Sequence, residues 1–184
     1  MASGPFQLVA DIGATHARFA LAQGGTLTGQ KTVLATPDQA GAEELARSAL
    51  DRLGVDAIAA ACFAVAGPVQ EGWVEVTNGG LKFEASVLSK SLGAPVSLVN
   101  DFYALAMAVP ALSRLQTIGG DEGRGATRQV KAVLGPGSGL GMSVLLPEGA
   151  AGWRVLPSEG GHADLALSLI HIYEPTRHDS GSRI

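Results

Sequence analysis

Apolar and polar positions alternate with a period of two at the start of the chain, in "FQLVADIGATHARFALAQGG". Phe6 to Ala10 and Ala17 to Ala22 read as two strands joined by a Gly-containing turn, with Gly24-Gly25 as the next turn. "TGQKTVLA" continues as a third strand. The period then changes. Pro37-Asp38 opens a helix whose single apolar face carries Ala42, Leu45, Ala46, Ala49, Leu50 and Leu53, and Gly54 follows as its C-cap. "DAIAAACFAVAG" is apolar without interruption, the pattern of a central strand covered on both faces. "GWVEVTN" alternates as another strand, a short helix spans Ala85 to Leu92, and "PVSLVN" is a strand that runs into Asn100-Asp101. "DFYALAMAVPAL" is helical until Pro110.

A polar, Gly-rich stretch, "GGDEGRGATR", separates that helix from the strand "QVKAVLG". "GPGSGLGMSVLLPEG" then supplies a Gly-rich turn and a further strand, and "GWRVLPSEGGHADLA" completes the patterned part. Strands dominate early and later alternate with helices, so the expected class is α/β with a mixed sheet. The Gly-rich stretch is either a long surface loop or the boundary between a first α/β domain at 1–110 and the start of a second at 111–166.

Composition narrows the partners. Of 184 residues, 46% are hydrophobic and 16% charged, a globular balance. The net charge of -4 argues against nucleic acid or an anionic membrane, both of which favour a basic surface. No apolar run reaches the roughly 18 residues that span a bilayer, and no signal peptide opens the chain, so a cytoplasmic location is expected. The one cysteine, Cys62, can form no intramolecular disulfide and is expected to be buried in its apolar run.

Four segments hold residues suited to chemistry. In "DIGATHAR", Asp11, Gly13 and Thr15 form either an ordinary hairpin or a phosphate turn with close backbone N–H groups and a hydroxyl donor. Asn100-Asp101 stands where a strand gives way to a helix, the usual position of ligand-binding residues in α/β sheets. Asp101 there is either a plain N-cap or one half of an amide–carboxylate pair suited to neighbouring sugar hydroxyls. Gly137-Ser138-Gly139 lacks the Lys of a Walker loop and the third glycine of a dinucleotide fingerprint, leaving a flexible hairpin or a second phosphate cradle. Glu159 and His162 flank Gly160-Gly161 and could bond a polyol. Metal is the weaker reading, since no HExxH spacing and no second nearby His before residue 167 supports it.

The order of these segments along the chain resembles bacterial ATP-dependent glucokinase, of the actin-like sugar-kinase superfamily. "DIGATHARFAL", "TNGGLKF", "LVNDFYALAMAVP", "LGPGSGLG" and "LPSEGGHADLA" carry the resemblance, over residues 6 to 166. It implies an actin-like ATPase (ribonuclease H-like) fold with the first domain nearly whole and the second truncated. It further implies transfer of the γ-phosphate of ATP, with Mg²⁺ held mainly through nucleotide and water, to the 6-hydroxyl of glucose. Asp101 would be the catalytic base, and Asn100, Glu159 and His162 would hold other hydroxyls. Ala10, Asp11, Ile12, Gly13, Ala14 and Thr15 would form the first phosphate turn, and Gly137, Ser138 and Gly139 the second. A homodimer is compatible with the full-length form. Related alternatives are a kinase for another hexose and a non-catalytic sugar-binding protein. Leu81, Ala14 and Ser138 stand where the family usually has Trp, Gly and Thr. A second sugar-binding Glu and the adenine pocket are not found in the chain, so this length is expected to be inactive.

From Leu167 the character changes. Leu167-Ser168-Leu169-Ile170-His171-Ile172 is what CTG TCT CTT ATA CAC ATC encodes, a string that resembles the end sequence of a transposase used in library preparation. Glu174-Pro175-Thr176-Arg177 matches the adjoining adapter in the same frame, with one base different at Tyr173. Residues 167–184 are therefore expected to be a non-native tail.

Overall fold

The structure is a computed structural model that describes residues 4–77, 79–116, 118, 129–136, 140–150, 152–158 and 160–162, the last of these by its backbone alone. The Gly-rich stretch at 119–128, the turn Gly137-Ser138-Gly139, Glu159, and the tail from Leu167 lie outside the described residues.

Three consecutive strands, β1 (Gln7–Ile12), β2 (His16–Gln23) and β3 (Thr26–Ala35), form an antiparallel meander. Helix α1 (Ala42–Leu53) then crosses the sheet and returns the chain to β4 (Ala60–Val65), which pairs parallel with β1. A two-stranded ribbon, β5 (Trp73–Glu75) with β6 (Lys82–Glu84), leads into α2 (Ala85–Leu92). Strand β7 (Val96–Asn100) adds parallel to β4, completing the order β3-β2-β1-β4-β7. Helix α3 (Asp101–Ala108) follows, then a short 3-10 turn at Val109–Ala111. Strands β8 (Lys131–Pro136), β9 (Leu140–Glu148) and β10 (Gly152–Ser158) form a separate antiparallel sheet, with α3 packed on it. The molecule is α/β with a mixed main sheet, as the pattern predicts.

The six apolar positions assigned to α1 are its six buried residues. Glu43 and Glu44 in its first turn and Arg52 in its last suit the helix dipole, and Gly54 closes it in the left-handed region at φ 67. Its start differs from expectation. Pro37 and Asp38 lie in a turn in which the Gln39 N–H donates to the Thr36 carbonyl, and the helix begins only after Gly41. The strand expected across "GWVEVTN" is likewise cut to three residues, Trp73–Glu75, which pair among the described residues with the equally short β6.

One core lies between the main sheet and the helices α1 and α2. Leu8, Ile12, Phe19, Leu21, Phe63 and Val65 enter it from the strands, with Phe19 and Phe63 edge to face at 5.8 Å. A smaller cluster of Ala106, Leu145 and Val155, flanked by Tyr103 and Trp153, joins α3 to the second sheet.

Strand β4 is an interior strand whose two faces are unequally covered among the described residues: one is buried in the core, and on the other Ala60 and Ala64 are half-buried. Ala61, Phe63 and Val65 are buried, whereas Cys62 is exposed, contrary to the sequence expectation. The apolar run is continuous because the less buried face carries alanine and cysteine, small residues that are apolar without being deeply buried. Neighbouring residues should therefore respond in opposite ways. Phe63→Ala is expected to lower the unfolding free energy by about 3–5 kcal/mol. Cys62→Ser should change it by no more than about 0.5 kcal/mol. Urea unfolding of the two variants measures the contrast.

Candidate functional site

The parallel register places three strand ends at one level. Ile12 pairs with Val65, and Val65 pairs with Asn100. The chain therefore leaves β1 at Gly13, β4 at Ala66-Gly67 and β7 at Asp101 side by side, at the carboxyl edge where open α/β sheets bind ligands.

The first exit is a tight turn. The Gly13 N–H donates to the His16 carbonyl at 3.0 Å, closing the hairpin. Thr36, at the far end of β3, clasps it from outside. Its N–H donates to the Thr15 carbonyl at 3.0 Å, and its hydroxyl to the Gly13 carbonyl at 2.9 Å. Thr36 is buried, and its role was missed in the sequence because it lies far along the chain from the turn that it holds. Ala10 and Ile12 point their side chains into the core, so any part they play at the turn falls to their backbone. The Asp11 carboxylate stands on the outer face and accepts from Arg18 Nη1 at 3.1 Å, both side chains being well exposed. Arg18 is directly opposite Asp11 in the β1·β2 register, the one signal that could have found it.

The second exit turns at Gly67, whose φ is 158° and whose absent Cβ would lie 2.6 Å from the Glu75 carbonyl oxygen. Only glycine fits that approach. The Gly67 carbonyl accepts from Asn100 Nδ2 at 3.1 Å, joining the second exit to the third.

At the third exit Asn100, rather than Asp101, caps α3. Its Oδ1 accepts from the Tyr103 N–H at 3.0 Å. Its Nδ2 also donates to Asp101 Oδ1 at 3.0 Å, and the Phe102 N–H donates to the same oxygen at 2.9 Å. Asp101 is thereby released from capping and held by one carboxylate oxygen in the first turn of the helix. Burial pushes its carboxyl above the ordinary aspartic acid value, and the negative charge of Asp11 acts in the same direction. Hydrogen bonds from Phe102, from its own N–H and from Asn100 pull it partly back.

These groups open on one cavity of about 330 Å³. The turn from Gly13 to His16 and the Arg18 side chain form one wall, with Gly67 and Thr77 beside it. Asn100, Asp101 and Phe102 form another, and Leu140, Gly141, Met142 and Ser158 of the second sheet face them. A second cavity of about 400 Å³ is bounded by Val69, Leu98, Tyr103 and Pro157. Pro68, Asn100 and Ser158 line both. Gly160–His162 forms a short 3-10 turn just after Ser158. The structure thus brings together Gly13, Ala14, Thr15, Asn100 and Asp101 of the sequence-derived set, with Asp11 beside the cavity. Among the described residues there is no group of three or more His, Cys, Asp or Glu able to hold a metal ion, and no helix is long and apolar enough to cross a membrane.

Known proteins share sequence and fold with this chain. The family model described as glucokinase matches residues 8–170. A glucokinase of Marinobacter nauticus is 36% identical over 168 residues, which are 90% of this chain and 52% of that one. One from Neisseria meningitidis is 39% identical over 159 residues, 85% of this chain and 48% of that one. Among solved structures, glucokinase from an Antarctic psychrotroph superposes with a TM-score of 0.70 at 30% identity, covering 92% of this chain and 55% of its own. Glucokinase from Balamuthia mandrillaris, in complex with glucose, has a TM-score of 0.69 at 25% identity, with 94% and 53% covered. A ROK family glucokinase from Streptomyces griseus, in complex with glucose and AMPPNP, shares the fold at 20% identity and a TM-score of 0.58, with 81% and 46% covered. The chain spans about half the length of the curated relatives it matches. The fold is actin-like, and the chain belongs to the glucokinase family.

Proposed function

We propose that the chain carries the acceptor-base half of a hexose 6-kinase, which transfers the γ-phosphoryl group of ATP to the 6-hydroxyl of glucose. The observation that carries this reading is the half-buried Asp101 carboxylate opening into the same cavity as the Gly13–Thr15 turn. The complexes of related glucokinases with glucose, and with glucose and AMPPNP, support it.

The roles follow from hydrogen-bonding capacity. Oδ1 of Asp101 is engaged by Asn100 and Phe102, so the other oxygen takes the proton from the sugar hydroxyl. The hydroxyl oxygen then bonds to the γ-phosphorus while the bridging bond to ADP breaks. Asn100 holds the carboxylate and offers its remaining acceptor capacity to a neighbouring hydroxyl. Glu159 and His162, which follow Ser158, are the proposed contacts to other hydroxyls. The Gly13–Thr15 turn, with Gly137, Ser138 and Gly139, cradles the phosphates. Arg18 is the cation best placed to leave its solvated pair with Asp11 for a phosphate oxygen, since separating exposed partners costs little.

The described residues suit a Mg²⁺ ion bound through nucleotide and water, because Asp11 presents one exposed carboxylate and no multi-ligand cage surrounds it. When bound, the ion would neutralise charge on the phosphate oxygens.

The test begins with the uninterrupted reading frame of the source locus beyond codon 166. Its full-length product is expected to phosphorylate glucose in a coupled ADP assay, and the 184-residue chain to show no turnover. Asp101→Asn in the full-length product should lower kcat roughly 10²–10⁴-fold with little change in glucose KM. Unchanged kcat would remove Asp101 from the base role.

The direction of the Asp101 shift gives a pH prediction. A base must be ionised, and a raised pKa means that protonation occurs at higher pH than in free aspartic acid. The acid limb of kcat/KM should therefore lie above about 3.9, with activity falling as pH drops through it. A limb at or below that value would show that another group titrates.

A further inference from the structure

Gly135 and Gly141 face each other across the β8·β9 ladder. Neither has a positive φ, so no special backbone conformation requires glycine at either place. Space does. A Cβ on Gly141 would lie 1.8 Å from Cε2 and 2.2 Å from Cδ2 of Phe102, and one on Gly135 would lie 2.9 Å from its Cζ. The Phe102 ring therefore rests on a platform of two bare backbones, closer than any side chain would permit. Its own N–H donates to the Asp101 carboxylate at 2.9 Å, and the ring lines the same cavity. One residue thus joins the carboxylate to the hairpin whose strands lead into and out of residues 137–139.

We propose that Phe102 is a positioning residue, its ring seated on the Gly135–Gly141 pair so that the Asp101 carboxylate is fixed relative to the β8–β9 hairpin. A merely space-filling Phe would have no need of two facing glycines. Nor would it need its amide bonded to the group it places. The proposal deepens the kinase reading above and rests on it for its kinetic consequence. Misplacing a reacting group by about 1 Å can cost on the order of 10²-fold in rate.

The experiment uses the full-length product carrying Gly141→Ala, Phe102→Ala, and both together, with kcat and both KM values measured on each. Gly141→Ala pushes the ring off its seat and is expected to lower kcat about 10²-fold, with glucose and ATP KM changed less than about threefold. Phe102→Ala should do the same. The double variant should be no slower than Phe102→Ala, since the added methyl then meets no ring; such non-additivity marks a direct contact. Phe102→Leu should recover part of the rate. Wild-type kcat in Gly141→Ala, or multiplicative losses in the double variant, would overturn the proposal.

Turnover by the wild-type enzyme tests the kinase reading separately. If it shows none, the amide resonance of Phe102 in the 184-residue chain decides the inference without catalysis. Loss of its hydrogen-bonded shift in Gly141→Ala supports the seat, and an unmoved resonance overturns it.

Discussion

The site depends on the parallel pairing of β4 with both of its neighbours. That pairing sets Ile12, Val65 and Asn100 abreast, so three loops distant in sequence begin at one edge. Each loop then contributes a different kind of group: a backbone turn at Gly13, a carbonyl at Gly67 and a carboxylate at Asp101. The hydrophobic effect secures the register, because a slip of one residue would turn Leu8, Phe63 and Val65 out of the core.

Polar bonds refine what the sheet supplies. Asn100 is the centre of that refinement: it caps α3, grips the Gly67 carbonyl and steadies the Asp101 carboxylate with one side chain. Thr36 does a similar service for the Gly13 turn from the end of β3. Both act on backbone groups that would otherwise need another partner at a partly buried edge. The arrangement is hydrogen-bonded where the chain changes direction and open at the cavity between the turns.

Much of this was legible in the sequence, for reasons that vary by residue. The α1 face was readable because large and small apolar residues recur at helical spacing with a glycine stop. The place of Asn100-Asp101 at the junction of a strand and a helix was readable from the change of pattern there. Which of the two caps the helix was not, since both are good capping residues and only the backbone decides. Cys62 was misjudged because alanine and cysteine look alike in a buried strand and in an open one. Thr36 and Phe102 escaped notice for a common reason: each acts on residues more than twenty positions away, and no local period records such a contact.

The larger core has a further property. All of its buried members come from Leu8 to Val96, while the smaller cluster must wait for Leu145 and Val155. Ribosomal synthesis at about 5–20 residues per second would separate the two by roughly 3–12 seconds. By the start of that interval every buried member of the larger core has been synthesised. The strand edge that will hold Asp101 is thus made before the surface that will face it.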